Sequence, residues 1–349
     1  MMLTYKIKHN RDFSVELIKA RQVAQFALDH RALSSKEVKQ FGLKSIISNQ
    51  ILRKYSRNRN ARKVNRAKLT VPAQGIRFNH ENRTIFVPSL KYETNYLFRN
   101  DFEKINQIEL DSQFAYISIT ISENAMIEPK GYLGVDRNTT GHIAVVGNPG
   151  TGKILKLGKK ADHIHQKYKN MRKNLQKKGK YKKVKKTKRR EKNIVKDINH
   201  KVSRKIVQEA KQNGMGIMLE YLQGIRNARS GRNFRYSLNS WSFYQLEKMI
   251  EYKARLLGIP VVYVDPRNTS KECSRCGQIG NRSGKSFKCP GCGHVDHADS
   301  NASFNIALRP PLVEGMDRLH ADRDACKGNT DTPREATPGT METSEPPML

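Results

Sequence analysis

Hydrophobic positions recur with two different periods along the chain. In "FAYISITIS", residues 114–122, Ala115, Ile117, Ile119 and Ile121 fall at every second position, the signature of a strand with one buried face. "MMLTYKIKH", residues 1–9, reads as another strand, and "GIRFNHENRTIFVP", residues 75–88, as a hairpin. Between them "DFSVELIKARQVAQFALDH", residues 12–30, sets Leu17, Ala20, Ala24 and Leu28 at helical spacing. A second helix is predicted from "SSKEV", where Ser34 and Glu37 have capping-box spacing. It should run through Ile46, Ile47 and Leu52 into the basic stretch Arg53 to Lys68. The helices then interrupt a small, barrel-like β unit whose first strand is the N-terminal one.

The pattern changes again in "GYLGVDRNTTGHIAVVGNPGTGKILKLG", residues 131–158, which predicts three strands, with Asp136 closing the first. "NIVKDINHKVSRKIVQEAK", residues 193–211, repeats Ile194, Ile198, Val202 and Ile206 every four residues as a helix. Next, "GMGIMLEYL" is an apolar strand reaching Glu220, "SFYQLEKMIEYKARLLG" an amphipathic helix stopped at Gly258, and "IPVVYV" a further strand, together a β-α-β unit. After Pro310 the periodicity is lost. The tail is rich in Thr, Pro and Glu and is predicted to be disordered.

Composition adds a partner class. Hydrophobic residues make up 37% and charged residues 28%, with a formal net charge of +34. A chain this cationic repels itself unless a polyanion sits on it, and nucleic acid is the polyanion to expect. Residues 168–190 alone hold 13 Lys or Arg and no acid, a stretch suited to phosphate contacts, and Arg53 to Lys68 is a second. Tyr55 and Trp241 are candidates for base stacking or for the core. Architectural binding of the ribosomal kind stays open at this point. No apolar run approaches the ~18 residues of a membrane span, so a cytoplasmic, nucleoid-associated protein is expected.

Five cysteines are present, and four of them form two C-x2-C pairs, Cys273/Cys276 and Cys289/Cys292, with twelve residues between the pairs. Two such knuckles present four thiolates tetrahedrally, the ligand set of structural zinc. Four sulfurs close the coordination sphere, so the ion should stabilise the fold without activating water, and His294 and His297 are left as neighbours. Cys326 reads as an incidental thiol.

Asp136, Glu220 and Asp299 occupy similar places: two close apolar strands, and the third opens the helix "SNASFNIAL". Clustered, they suit magnesium or manganese, hard ions that take oxygen ligands and serve phosphodiester hydrolysis in pairs. Asp296 competes with Asp299 for the third position. "GNPGTGKI", residues 147–154, imitates a phosphate-binding loop, but Ile154 stands where Ser or Thr is required and a strand follows, so a hairpin turn is expected.

Taken in order, "GVDRN", "HKVSRKIVQEAK", "MLEYLQGIR", "SFYQLEKMIEYKARLLGIPVVYVDPRNTSKECSRCG" and "CPGCGHVDHADSNASFNIA" resemble the TnpB (OrfB) family of insertion-sequence proteins, related to type V CRISPR effectors. The match runs from about Gly131 to Arg309. The resemblance implies an α/β fold: an RNase H-like (RuvC) nuclease domain with an inserted zinc ribbon, after a wedge-like β unit carrying a helical insertion. It implies that Asp136, Glu220 and Asp299 are the catalytic, Mg-binding carboxylates. It further implies a transposon-derived guide RNA, a double-stranded DNA target cut beside a short flanking motif, and Mg2+ or Mn2+ with structural Zn2+ as cofactors. The implied organisation is residues 1–11 as first strand, 12–68 as helical insertion and 69–127 as the remaining β unit. The nuclease domain follows at 128–266, with a basic helical segment at 160–210, then the ribbon at 267–298, the last nuclease motif at 299–309 and the tail at 310–349. Relatives that have lost a carboxylate act as RNA-guided repressors, and a guide-independent transposase is the other alternative.

Overall fold

The structure is a computed structural model that describes residues 1–58, 60–98, 101–222, 242–312 and 341–343. Trp241, Cys326, the residues following Leu222 in "MLEYLQGIR" and nearly all of the predicted tail lie outside the described residues. The chain divides into two units, Met1–Ser122 with the C-terminal residues, and Glu123 onwards.

In the first unit, β1 (Met2–Lys8) pairs antiparallel with β7 (Phe114–Thr120), Leu3 facing Ile119, although helices intervene in sequence. The sheet continues through β6 (Lys104–Leu110) to β2 (Leu69–Pro72). Ala115, Ile117, Ile119 and Ile121 are all buried, as their alternation predicts. A separate three-stranded sheet, β3 (Arg77–Asn79), β4 (Thr84–Val87) and β5 (Tyr92–Asn95), contains the predicted hairpin. Helix α1 (Ser14–His30) buries Ala20, Val23, Ala24, Ala27 and Leu28.

The second predicted helix is divided in the structure. The capping box of Ser34 and Glu37 forms, but it heads a 3-10 helix, Ser35–Phe41, that stops at Gly42 in the left-handed region (φ 63°). Helix α2 (Ser45–Tyr55) then starts afresh and ends before most of the basic stretch, where no apolar stripe remains to hold a helix against a core. At the other end of the chain, Met341–Thr343 forms strand β16, parallel to β1, where disorder was expected. The free edge of β1 offers backbone donors and acceptors that a short segment can satisfy.

The second unit has a mixed α/β fold. A five-stranded sheet has the order β10 (Lys153–Leu157), β9 (Ala144–Asn148), β8 (Tyr132–Arg137), β11 (Gly216–Glu220), β12 (Val261–Val264). The first three form an antiparallel meander, and β8, β11 and β12 run parallel. Helix α5 (Phe243–Leu256) makes the β11–α5–β12 crossover. Successive side chains of a strand take opposite faces, and here the two faces have different neighbours. Leu133, Val135, Ile217 and Leu219 pack with Val202, Ile206, Leu246 and Ile250 of α4 (Tyr181–Asn213) and α5. Met218 and Val264, on the other face, pack with Ile306 of α6 (Ala298–Leu308). Helix α3 (Lys160–Lys177) precedes α4 through a turn at Gly179. Between β12 and α6 stands a small sheet of β13 (Asn281–Ser283), β14 (Ser286–Lys288) and β15 (Val295–His297). No helix among the described residues is long and apolar enough to cross a membrane.

Candidate active site and cysteine cluster

Asp136 is the fifth residue of β8 and Glu220 the last of β11. The two strands are parallel neighbours with Val135 facing Leu219, so Asp136 and Glu220 occupy the next rung, their backbones about 5 Å apart. Both point to the α6 face, since Gly134 and Met218, two residues before them, do so. The approach of α6 depends on that glycine. A Cβ on Gly134 would lie 2.0 Å from the Ser303 carbonyl oxygen and 2.5 Å from the Ala307 nitrogen. Two residues further along β8 and one helical turn back from Ser303 bring Asp136 beneath Asp299, which is 1% exposed.

Asp136 responds to the other two carboxylates. Burial, and then the carboxylates of Glu220 and Asp299, push the Asp136 carboxyl up to about 8. Glu220 is likewise raised, chiefly by burial. Each group is oriented by neighbours. Thr269 Oγ1 donates to Glu220 Oε1 at 2.5 Å, and Asn138 Nδ2 donates to Asp136 Oδ2 at 2.9 Å. Arg137, fully buried, donates to the Glu220 carbonyl and forms an ion pair with Glu247. Asp299 Oδ2 accepts from Lys285 Nζ at 2.6 Å, and Arg282 lies 3.6 Å from Oδ1. Asp299 Oδ1 is buried with no hydrogen-bond donor. An all-oxygen set, repelling carboxylates and an unsatisfied buried oxygen suit a hard divalent cation. Asp296 does not join this group: it faces His294 at 3.9 Å and accepts from the His297 N–H at 2.6 Å.

The cysteines are gathered more tightly. All four sulfurs lie within 4.8 Å of one another, with Cys273 and Cys292 at 3.6 Å and Cys276 and Cys289 at 3.5 Å. Tetrahedral zinc with bonds of about 2.3 Å separates its sulfurs by about 3.8 Å, so the cluster fits the ion. Each knuckle closes on a glycine in the left-handed region, Gly277 (φ 74°) and Gly293 (φ 72°). Their N–H groups donate to the carbonyls of Cys273 and Cys289 at 2.9 and 3.1 Å. Phe287, fully buried, packs on Cys273, Cys289 and Ala298. His294 and His297 stand outside the group, and His297 instead accepts from the Asp299 N–H at the start of α6.

Helix α6 also holds the loop before the first knuckle. Asn301 accepts from the Ser274 N–H at 2.9 Å, and Asn305 donates to the carbonyls of Thr269 and Glu272 at 2.8 and 2.7 Å. Thr269, Asn138 and Lys285 escaped sequence reading. Asn138 had a signal, its place in "GVDRN"; Thr269 and Lys285 had none.

The lysine-dense segment is a helical hairpin, with Glu191 clamping His165 at 2.8 Å and Arg172. The α4 residues before Glu191 are not buried. Around the Arg53 to Lys68 stretch, two cations are engaged internally: Lys54 and Lys68 pair with Glu109 at 3.3 and 2.9 Å. Tyr55 is partly buried at the end of α2. "GNPGTGKI" is a hairpin turn between β9 and β10, where Asn148 Oδ1 accepts from the N–H groups of Gly150 and Thr151.

Residues 243–306, from α5 to the carboxylate-bearing helix, match the family model of the Cas12f1-like TNB domain. A CRISPR-associated endodeoxyribonuclease Cas12f1 of Sulfoacidibacillus thermotolerans is 46% identical over 114 residues, 32% of this chain and 26% of that protein. Over these stretches the chain is similar to TnpB-like and Cas12f proteins. A TnpB-like protein of Methanocaldococcus jannaschii is 37% identical over 156 residues, 42% of this chain and 56% of that protein. A TnpB-like protein of Aquifex aeolicus is 29% identical over 224 residues, 54% of this chain and 72% of that protein. The matches to the first two relatives thus span about a quarter and about half of their lengths. In fold, the chain resembles Cas12f1 as solved in a complex with sgRNA and target DNA. The TM-score is 0.60 at 15% identity, over 86% of this chain and 82% of that one.

Proposed function

We propose that the chain is an RNA-guided DNA endonuclease that cuts double-stranded DNA at one RNase H-like (RuvC) site. The observation that carries the reading is the meeting of Asp136, Glu220 and Asp299 on one face of a mixed sheet, where the latter two carboxylates raise the Asp136 carboxyl. Kinship with proteins named endodeoxyribonucleases supports the reaction class. On this reading, residues 128–266 and 299–309 are the nuclease domain and 267–298 is a zinc ribbon inserted into it. Residues 1–127 form a wedge with a helical insertion at 12–68.

Asp136, Glu220 and Asp299 would hold Mg2+ or Mn2+, which when bound activates a water and stabilises the leaving oxygen of a phosphodiester. The rest is positioning by this chain. Thr269 and Asn138 fix the carboxylate oxygens that they contact, Arg137 ties the ends of β8 and β11 together, and Gly134 lets α6 approach. Cys273, Cys276, Cys289 and Cys292 would hold a structural zinc. The exposed cations of α3 and α4 would hold nucleic acid. A transposon-derived guide would read sequence by base pairing, leaving the protein the flanking motif and the shape of the heteroduplex, the division of labour of RNA-guided effectors.

The test is a plasmid assay. Protein purified with its copurifying RNA, whose sequence names the target, should linearise target plasmid when Mg2+ is added and lose activity when the RNA is stripped. Binding without cutting would favour a repressor. Strand joining without RNA would favour a transposase.

A further inference from the structure

The hairpin turn between β13 and β14 belongs to the cysteine-held sheet, yet its lysine reaches the carboxylates. Lys285 Nζ donates to Asp299 Oδ2 at 2.6 Å and to Asn138 Oδ1 at 3.3 Å, and the same Asn138 donates to Asp136. The turn is fixed beside Asp299, because the Ala298 N–H donates to the Lys285 carbonyl at 2.8 Å. Gly284, in the left-handed region at φ 58°, makes the turn possible. Asp299 Oδ1 meanwhile has no hydrogen-bond donor. Among the described residues, the three carboxylates are not drawn together as the cysteines are.

We propose that Lys285 is an internal counter-ion: the cysteine-held hairpin places its ammonium on the carboxylate site, and a divalent cation gains Asp299 by displacing it. The inference rests on the reading of that site as a divalent-cation site. Neighbouring carboxylates need compensating charge when no ion is bound, and Lys285 is the cation hydrogen-bonded to Asp299. An ammonium 2.6 Å from Oδ2 repels a divalent cation arriving at either oxygen of Asp299, so the ion binds more favourably once the ammonium has left. The side chain is 40% exposed on a flexible four-carbon stem, so it can leave for solvent while the backbone stays in place. Lys285 therefore sets the concentration at which the site loads.

The experiment is a Mg2+ titration of the full chain, zinc retained, at pH 8.5, following the rise of Tm. Asp299→Asn identifies the site-specific part of the rise. Lys285→Met should reach its midpoint at about tenfold lower Mg2+, the low end of what a hydrogen bond to a charged group contributes. Its metal-free Tm should fall below that of the wild type. Lys288→Met, which removes an exposed ribbon lysine elsewhere, should titrate as wild type does. Lys285→Gln stands in if the methionine variant does not fold. An Asp299-dependent rise whose midpoint is unchanged or higher in the Lys285 variants overturns the counter-ion alone. A wild-type titration that does not depend on Asp299 overturns the metal site and the counter-ion together.

Discussion

Asp136 carries a strongly perturbed carboxyl, and the direction of its shift has a thermodynamic consequence. Its acid form persists to about pH 8 in the fold, against 3.8 for an unperturbed aspartate. Between those values the folded chain keeps a proton that the unfolded chain has lost, so this group lowers stability as pH rises and the whole penalty is present above about 8. In Mg-free buffer, the fall in Tm from pH 5 to 8.5 should therefore be smaller for Asp136→Asn than for wild type, as scanning calorimetry would record. A steeper fall in the variant would exclude the shift. In the plasmid assay Asp136→Ala should cut at least about a thousandfold more slowly, since metal-held charge stabilisation is a term of several kcal/mol. Binding of RNA and target should survive, because the basic surface is untouched; retained cutting would remove Asp136 from the site. These carboxylates were legible because each closes an apolar strand or opens a helix. Thr269 and Lys285 were not, since a single hydroxyl or ammonium has no period, and their partners are 49 and 14 residues away.

Among elements, β8 and α6 meet closely at Gly134. Gly134→Ala drives a methyl into helix backbone that cannot rotate aside, so a loss of about 3 kcal/mol is expected, at the upper end for overpacking. Chemical denaturation should register it, and Mg2+ affinity should drop as well, because α6 carries Asp299. Cys289→Ser is expected to lower zinc content and folded yield together, as zinc contributes on the order of 10 kcal/mol to such small units. Metal analysis of the soluble fraction checks this, and a well-folded wild type free of zinc would dismiss the metal. Sequence pattern located the five strands of the second unit's large sheet and the β11–α5–β12 unit because their apolar residues face a core. It did not mark the break at Gly179 inside the basic helical segment 160–210, nor the break at Gly42, where a correctly read capping box opened a shorter helix than predicted.

For the whole molecule, a net charge of +34 makes ionic strength the governing variable. A protein making 6–10 phosphate contacts loses roughly 10³–10⁵ in affinity between 50 and 200 mM salt. Replacing Lys182, Lys183, Lys185 and Lys186, all exposed on α4, by glutamine should flatten the salt dependence of duplex binding by up to about 0.9 per lysine. An unchanged slope would place the nucleic acid elsewhere. Charge density pointed to this class of partner, but not to which face meets it. Helix α4 supplies a division of labour: over its 33 residues, about 50 Å, burial begins only at Glu191.

Asp299 follows directly on the last strand of the cysteine-held sheet, with no linker between His297 and Ala298. During translation the cationic helices, Asp136 and Glu220 all leave the ribosome before it. Under the proposed function, a nascent chain can hold nucleic acid while lacking the means to cut it, and any product truncated before residue 298 keeps that restriction. On that reading the order of the chain would work as a safety catch, released when the four-cysteine segment has been made and has folded.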